Sequence, residues 1–419
     1  MNTPLKSDNK YDVIVIGGGP SGMMTAVRAS TRGARVLLLE KNPDVGKKLL
    51  ITGGGRCNVT NAEFDNRKLL ANYKDASKFL FSAFAQHTVE DSLDFFHSRN
   101  METKIEDNKR VFPVSNSARS VYDTLKNYLK ENKVTVLNNA EVNEILFIKG
   151  SITGLLLKNG ETLTATSYVL STGGKSRPDT GSTGDGFRWL QTLGHKVIEP
   201  DASLVPIALN DNWVSKVTGT TLTDIKISIY QNEKKVLTQT GKILFTHVGV
   251  SGPTILNLSK TIGELLDYGS ATIKLDLFPT LDEATLDDQL IELFQTSNKK
   301  FKNSLSPLLP TALASALVTL SHISPELEAN SIKKDDRKKL VKLFKALPLH
   351  VKGLLGTDKA IVTSGGVDLK EVNFKTMQSR LYPNLYLVGD VLNIDRPSGG
   401  YSLQLCWTTG FVAGNSVPF

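Results

Sequence analysis

Cysteine is nearly absent from this chain: 419 residues contain two, Cys57 and Cys406. They stand far apart and in no CxxC arrangement. That excludes a disulfide scaffold, a cysteine-based zinc site and a dithiol redox pair, and it points to a reducing, cytoplasmic setting. No metal site is expected. No apolar run approaches the roughly 18–20 residues needed to span a bilayer. Met1–Lys10 is polar and lacks the apolar core of a secretory signal. There is no internal repeat and no low-complexity segment. What remains is ordinary globular material, 40% hydrophobic, in a chain long enough for two or three domains.

The net charge of +8 is unevenly spread. Between Lys299 and Lys352 there are 11 Lys/Arg against four Asp/Glu, so this one segment holds most of the excess. Its densest part, Lys333–Lys345, carries Leu340, Val341, Leu343 and Phe344 among the lysines. Such a run reads as a solvated helix face, with an acidic partner surface as the alternative.

The opening residues form a βαβ pattern. Tyr11–Ile16 is a β-rich apolar run, a helix extends to about Thr31, and Ala34–Glu40 is a second strand. Between them Gly17-Gly18-Gly19-Pro20-Ser21-Gly22 satisfies GxGxxG directly after a strand and at the start of a helix, the context that gives the pattern its meaning. Gly17 permits the tight turn, Gly19 lets the backbone approach a pyrophosphate, and Gly22 lets the helix pack on the sheet. The free amides at the helix start, around Pro20 and Ser21, hold the anion. Glu40 ends the second strand, where its carboxylate can accept from ribose hydroxyls and would repel a 2′-phosphate. A Rossmann-type dinucleotide fold follows from these features.

Two further motifs select FAD over NAD. Thr52–Asn58 (TGGGRCN), preceded by Lys47-Lys48, is an amide-rich loop suited to a second polar part of an extended ligand. Near the C-terminus Gly389-Asp390 closes a strand, and the Asp390 carboxylate can bond ribitol hydroxyls. Gly399-Gly400-Tyr401-Ser402-Leu403-Gln404 then begins a helix, whose positive end would face the flavin N1–C2=O edge. No second dinucleotide fingerprint occurs, so any NAD(P)H would dock transiently as an electron donor.

Together TGGGRCNVTN, TGGKSRPDTGSTGDG (172–186), FTHVGVSGP (245–253) and GGYSLQ (399–404) resemble the aminoacetone oxidase family of FAD-binding proteins, the BaiN-type flavoproteins. The resemblance runs through the whole chain. It implies non-covalent FAD and a nucleotide domain carrying a β-barrel-like insert and a helical insert. By matching position it sets Gly54, Gly55, Arg56, Cys57, Asn58, Val142, Gly173, Gly389, Asp390, Gly400, Tyr401, Ser402 and Leu403 around the cofactor, and Lys41, Lys48 and Thr172 join that candidate set. Two departures stand out: Ser402 replaces the Asn of the usual GGYN, and Asp395-Arg396 replaces the commoner Asp-Gly. Both fall where flavin or substrate contacts are expected, so no relative's substrate is carried over.

The expected architecture is α/β. A discontinuous Rossmann-type domain (1–194 and 356–419) resumes near Lys359, after a β-rich insert (195–278) and a helical insert (279–355). The expected activity is two-electron transfer through flavin N5 on a small-molecule substrate, amine-oxidase-like or NAD(P)H-linked and reductase-like. No catalytic acid or base is assigned. Tyr401 and His247 are candidates whose plainer roles are packing and structural hydrogen bonding, and Cys57 reads as a packed thiol. Two alternatives are an RNA-associated flavoprotein gripping through the lysine-rich insert and a redox sensor without turnover. The first is disfavoured because only Phe301 and Phe344 are available there for stacking. The oligomeric state is not legible.

Overall fold

The computed structural model describes residues 11–295, 299–356 and 362–419. They fall into two compact units, one built from the chain up to Ala202 plus the stretch from Ile361, the other from Ser203–Ala360. Met1–Lys10 and Lys359 lie outside the described residues.

The first unit begins with β1 (Tyr11–Ile16), α1 (Pro20–Thr31) and β2 (Val36–Glu40). Both strands are buried along almost their whole length, which is why they read as continuous apolar runs rather than alternating ones. Then follow β3 (Thr60–Asn61), α2 (Asn66–Ala71), α3 (Ser77–Gln86) and α4 (Val89–His97). The helical stretch from Asn66 to His97 is thus divided. His87 is extended, and Thr88 with Asp91 forms a reciprocal capping box that starts a new helix. Next come β4 (Thr103–Glu106), β5 (Arg110–Pro113), α5 (Ala118–Glu131), β6 (Thr135–Asn138), β7 (Val142–Ile148), β8 (Ser151–Leu157), β9 (Thr162–Leu163), β10 (Ala165–Leu170), α6 (Asp185–Thr192) and β11 (Val197–Ser203).

The second unit contains β12 (Ile207–Leu209), β13 (Thr221–Gln231), β14 (Lys234–Thr246), β15 (Gly249–Ser251), α7 (Pro253–Leu266), β16 (Ala271–Asp276), α8 (Glu283–Gln295), α9 (Phe301–Ser304), α10 (Thr311–Leu320), α11 (Lys334–Lys345) and β17 (Leu347–Leu354). Its six strands close into a barrel in the order β12-β15-β14-β13-β16-β17. Ile225, Ile227 and Ile229 alternate into the interior, as period-2 burial requires. β17 was not anticipated, because LPLHVKGL follows a helical stretch and contains Pro348; it pairs with both β16 and β12 and so closes the barrel. The sequence reading separates β-rich from helical material at 278/279. In the structure one buried cluster joins barrel residues such as Leu275 to Leu290, Leu317 and Phe344 of the helices. Lys345 fastens the two parts through Asp276 and the carbonyls of Phe278 and Leu281. On α11, Leu340, Val341 and Phe344 turn inward while Lys334, Lys338 and Lys342, four residues apart, form an exposed ridge.

The chain re-enters the first unit with β18 (Val362–Val367), β19 (Leu385–Leu387) and α12 (Tyr401–Ser416). A five-stranded sheet results, ordered β19-β10-β1-β2-β6 and parallel throughout. This is the expected Rossmann-type arrangement. α12 is buried on nearly every face and lies directly on α1, where an added Cβ at Gly410 would stand 2.5 Å from the Ser21 carbonyl oxygen. Among the described residues no helix is long and apolar enough to cross a membrane.

Candidate functional site

From β1 the sheet continues to β2 on one side and β10 on the other, and at such a switch point a crevice opens beyond the carboxyl ends of the strands. A cleft lies there. Gly17, Gly19, Pro20, Ser21, Glu40, Lys41, Lys48, Val142, Thr172, Gly173 and Asp390 of the sequence-derived set line it.

The turn between β1 and α1 is held by close contacts. Gly17 has φ +105° and donates to Leu39 O at 2.8 Å. A Cβ on Gly22 would lie 2.0 Å from Gly17 O, so only glycine brings α1 this close to the strand end. Gly19 is the N-cap of α1 and Pro20 its first residue, an arrangement that leaves the opening amides unpaired within the helix. Glu40 is buried. Its Oε2 accepts from Gly18 N at 2.9 Å, and its Oε1 accepts from Asn42 N at 2.8 Å and Asn42 Nδ2 at 2.7 Å. The carboxylate is thereby fixed at the cleft wall.

The nearby cations are already engaged by protein partners. Lys41 Nζ reaches Thr183 Oγ1 at 2.6 Å and Asp185 Oδ2 at 2.8 Å. Lys48 Nζ donates to Ser176 Oγ at 2.7 Å, and burial holds its pKa below the ordinary lysine value. In the 52–58 loop Gly53, Gly54, Gly55 and Cys57 all have positive φ. Arg56 does not line the cleft; Glu106 at 2.5 Å and Asn116 at 2.6 Å draw it away, and it lies over the Phe112 ring. Burial pushes the Cys57 thiol up to about 12, and the cleft-lining Cys406 also to about 12, so neither carries thiolate at neutral pH. Among the described residues near the cleft, Asn58 Oδ1 in the loop and Thr172 Oγ1, which faces Gly186, are buried without a hydrogen-bond partner.

At the other end Gly389 (φ +66°) presses against Ser21 Oγ, and Asp390 follows it into the cleft. Burial opposes ionisation of Asp390, but the charges of Arg396 and Lys48 overcome this and hold its carboxyl below the usual range. Gly400 starts α12 with φ +104°, its Cα so near Thr60 that a Cβ would stand 2.3 Å from that carbonyl oxygen. Tyr401 is half-buried against Tyr73, whose hydroxyl donates to Tyr401 O at 2.8 Å. Burial, and then Glu63, raise the Tyr401 pKa, so the phenol stays protonated. Ser402 Oγ accepts from Arg396 Nε at 3.0 Å, and Leu403 is buried in the core. Gly54, Gly55, Asn58, Gly400, Tyr401, Ser402 and Leu403 thus belong to the surrounding loop and helix start, not to the cleft lining. His247 is exposed in the turn between β14 and β15, in the second unit.

The sequence reading missed the far wall: Asn42, Glu141, the Thr180–Ser182 loop, Asp185 and Trp189. The loop carried a signal in its dense glycines, but Trp189 carried none.

The family described as HI0933-like protein Rossmann domain matches residues 11–416. The chain is 30% identical over 412 residues to a 3-dehydro-bile acid delta(4,6)-reductase of Clostridium scindens, covering 96% of this chain and 98% of that one. It is 29% identical over 412 residues to a ribosomal RNA dihydrouridine synthase of Escherichia coli, covering 97% and 98%. Among solved structures, the 3-ketosteroid delta1-dehydrogenase of Sterolibacterium denitrificans shares the fold, with a TM-score of 0.56 at 14% identity over 98% of this chain and 99% of that one.

Proposed function

The chain belongs to the HI0933-like Rossmann-domain family of FAD-dependent oxidoreductases, and on that footing we propose that it reduces a carbon–carbon double bond conjugated to a carbonyl. The cleft carries the cofactor part of this reading, above all the glycine turn at its wall, where a Cβ at Gly19 would enter open space beside the start of α1. Gly17–Ser21 and the start of α1 would hold the pyrophosphate, Glu40 the adenosine ribose, Asp390 the ribitol, and Gly400–Leu403 with the 52–58 loop the ring end. Bound there, FAD supplies hydride transfer at its N5. A reduced nicotinamide, docking transiently, is the electron source this reading requires. Tyr401, kept protonated by burial, is the candidate proton donor to the reduced carbon. The reductive direction is supported by the names of the two full-length relatives, one a reductase of a dehydro-bile acid and one a synthase of dihydrouridine.

A second reading, uracil within RNA as the substrate, is favoured by the exposed Lys334, Lys338 and Lys342 ridge. Phe301 and Phe344 are fully buried, so any grip by this segment is through charge and not base stacking. Anaerobic stopped-flow tests both readings. NADH or NADPH should bleach the flavin, and either a conjugated enone or a uridine-containing RNA should restore its colour and gain 2 Da. Bleaching by amines alone would make the protein an oxidase and overturn the proposal; bleaching by none of these would favour a sensor. If RNA is the substrate, the triple variant K334E/K338E/K342E should lose RNA turnover and keep NAD(P)H bleaching.

A further inference from the structure

The side chain of Arg396 is wholly shielded from solvent. Its Nη1 donates to Ile394 O at 2.7 Å, its Nε to Ser402 Oγ at 3.0 Å, and its Nη2 to Asp390 Oδ1. These bonds use three of the five N–H donors of a group that is always charged. They hold the guanidinium between the cleft-lining Asp390 and the first turn of α12. It cannot swing out without leaving a buried carboxylate unpaired.

Glu40 is fixed beside Gly18, whereas Asp390 follows Gly389, which presses against Ser21 Oγ. If FAD lies as proposed above, on which this inference rests, its ring is at the Asp390 end. Positive sources converge there: the start of α12, Arg396, and the buried Lys48, which is close enough to both Asp390 and Arg396 to feel each charge. Asp390 offsets part of this. Burial first, and then Arg396, lower the Lys48 pKa, so an added negative charge would relieve the cluster.

We propose that Arg396 is a positioning residue that sets the flavin's potential, its fixed charge stabilising the reduced cofactor. Hydride leaves the reduced nicotinamide, which becomes oxidised, and adds to flavin N5. The electron pair would bring negative charge to the flavin's N1–C2=O edge, and Arg396, behind the cleft-lining Asp390, with the start of α12 would supply the offsetting positive charge. In a chain with this arginine the reduced state is favoured more than α12 alone would allow.

The test compares wild type, R396Q and R396K as holoproteins, measuring FAD affinity and two-electron potential on the same samples. R396Q should disfavour reduction at least tenfold, about 30 mV downward for a two-electron couple, and R396K should stay within threefold of wild type. R396Q that retains FAD at the wild-type potential overturns the proposal. Should R396Q shed its cofactor, sulfite titration of the wild-type holoprotein decides. Sulfite adds at N5 and leaves the same negative charge, so affinity at least tenfold above that of free FAD is expected, and affinity equal to free FAD refutes the role. A wild-type chain that takes up no FAD defeats the cofactor reading itself, a result distinct from either of these.

Discussion

Gly19 and Gly22 stand three residues apart in one motif, yet the structure assigns them different reasons for being glycine, and alanine at each position separates the two. A Cβ at Gly22 would lie 2.0 Å from Gly17 O and 2.6 Å from Ser171 Oγ. The carbonyl would have to retreat by about 1 Å, which breaks the 2.9 Å bond it accepts from Ser171 Oγ. Overpacking of about 1–3 kcal/mol and a lost hydrogen bond of about 1 kcal/mol make roughly 2–4 kcal/mol for G22A in the apoprotein. Gly19 has φ −77°, which any residue adopts, and a Cβ there would meet nothing within 4 Å. G19A should therefore cost the apoprotein at most about 1 kcal/mol, the N-cap difference. Its added methyl would stand where a pyrophosphate must approach. Losing one charge-assisted amide bond, worth about 1.5–3 kcal/mol, weakens FAD roughly ten- to a hundredfold. Urea denaturation of the apoproteins and FAD titration by fluorescence quenching read the two effects apart. Wild-type FAD affinity in G19A would refute pyrophosphate binding at this turn.

Glu40→Gln should weaken FAD about tenfold and cost the apoprotein about 1 kcal/mol, because the bonds from Gly18 and Asn42 lose a charged acceptor; unchanged FAD titration would count against ribose binding there. His87 is buried and stacked on Phe411, and burial lowers its pKa to about 4, so the fold holds it neutral. Its contribution is complete above the unfolded value near 6.5 and is lost as pH falls toward 4. The loss is roughly 3 kcal/mol, to be read from urea midpoints at pH 7, 5 and 4, and H87Q should flatten that dependence. With both thiols pushed up to about 12, Cys57 and Cys406 should resist iodoacetamide at pH 8 in the native chain and react only on unfolding; rapid native labelling would contradict their burial.

The near half of the site was legible because its determinants are local. Tyr11–Ile16, the glycine turn, α1 and Glu40 lie within 30 residues, and each step follows from apolar runs, turn chemistry and the N-cap. The far wall was not, because long-range pairing decides it. Lys41 to Asp185, Lys47 to the Asp179 carbonyl and Lys48 to Ser176 each span more than 120 positions. Arg56 shows the same limit. Its place in TGGGRCN reads as ligand-facing, but Glu106 and Asn116 compete for it from 50 and 60 residues away. Barrel closure by β17 depends likewise on partners at 207–209 and 272–275. The Asp395-Arg396 departure was visible in the sequence, whereas the bond from Arg396 to Asp390 and Ser402 is a property of the fold.

That pattern of engaged cations decides how an anion is held in the cleft. Lys41 is tied to Asp185, Lys48 to Ser176, and Arg56 points elsewhere, while the amides at the start of α1 have no partner within the helix, that of Ser21 bonding Cys406. On the proposed placement of FAD, pyrophosphate recognition comes mainly from backbone donors and the helix end, at contact distance inside the cleft. Mobile ions screen exposed charges over about 10 Å at 0.1 M but reach buried donors far less. FAD affinity should therefore change less than threefold between 50 and 500 mM NaCl, measured by equilibrium dialysis of the apoprotein. Were side-chain lysines the main holders, raising the salt over that range would weaken binding tenfold or more, and that result would return Lys41 and Lys48 to the pyrophosphate and remove the primacy of the α1 amides.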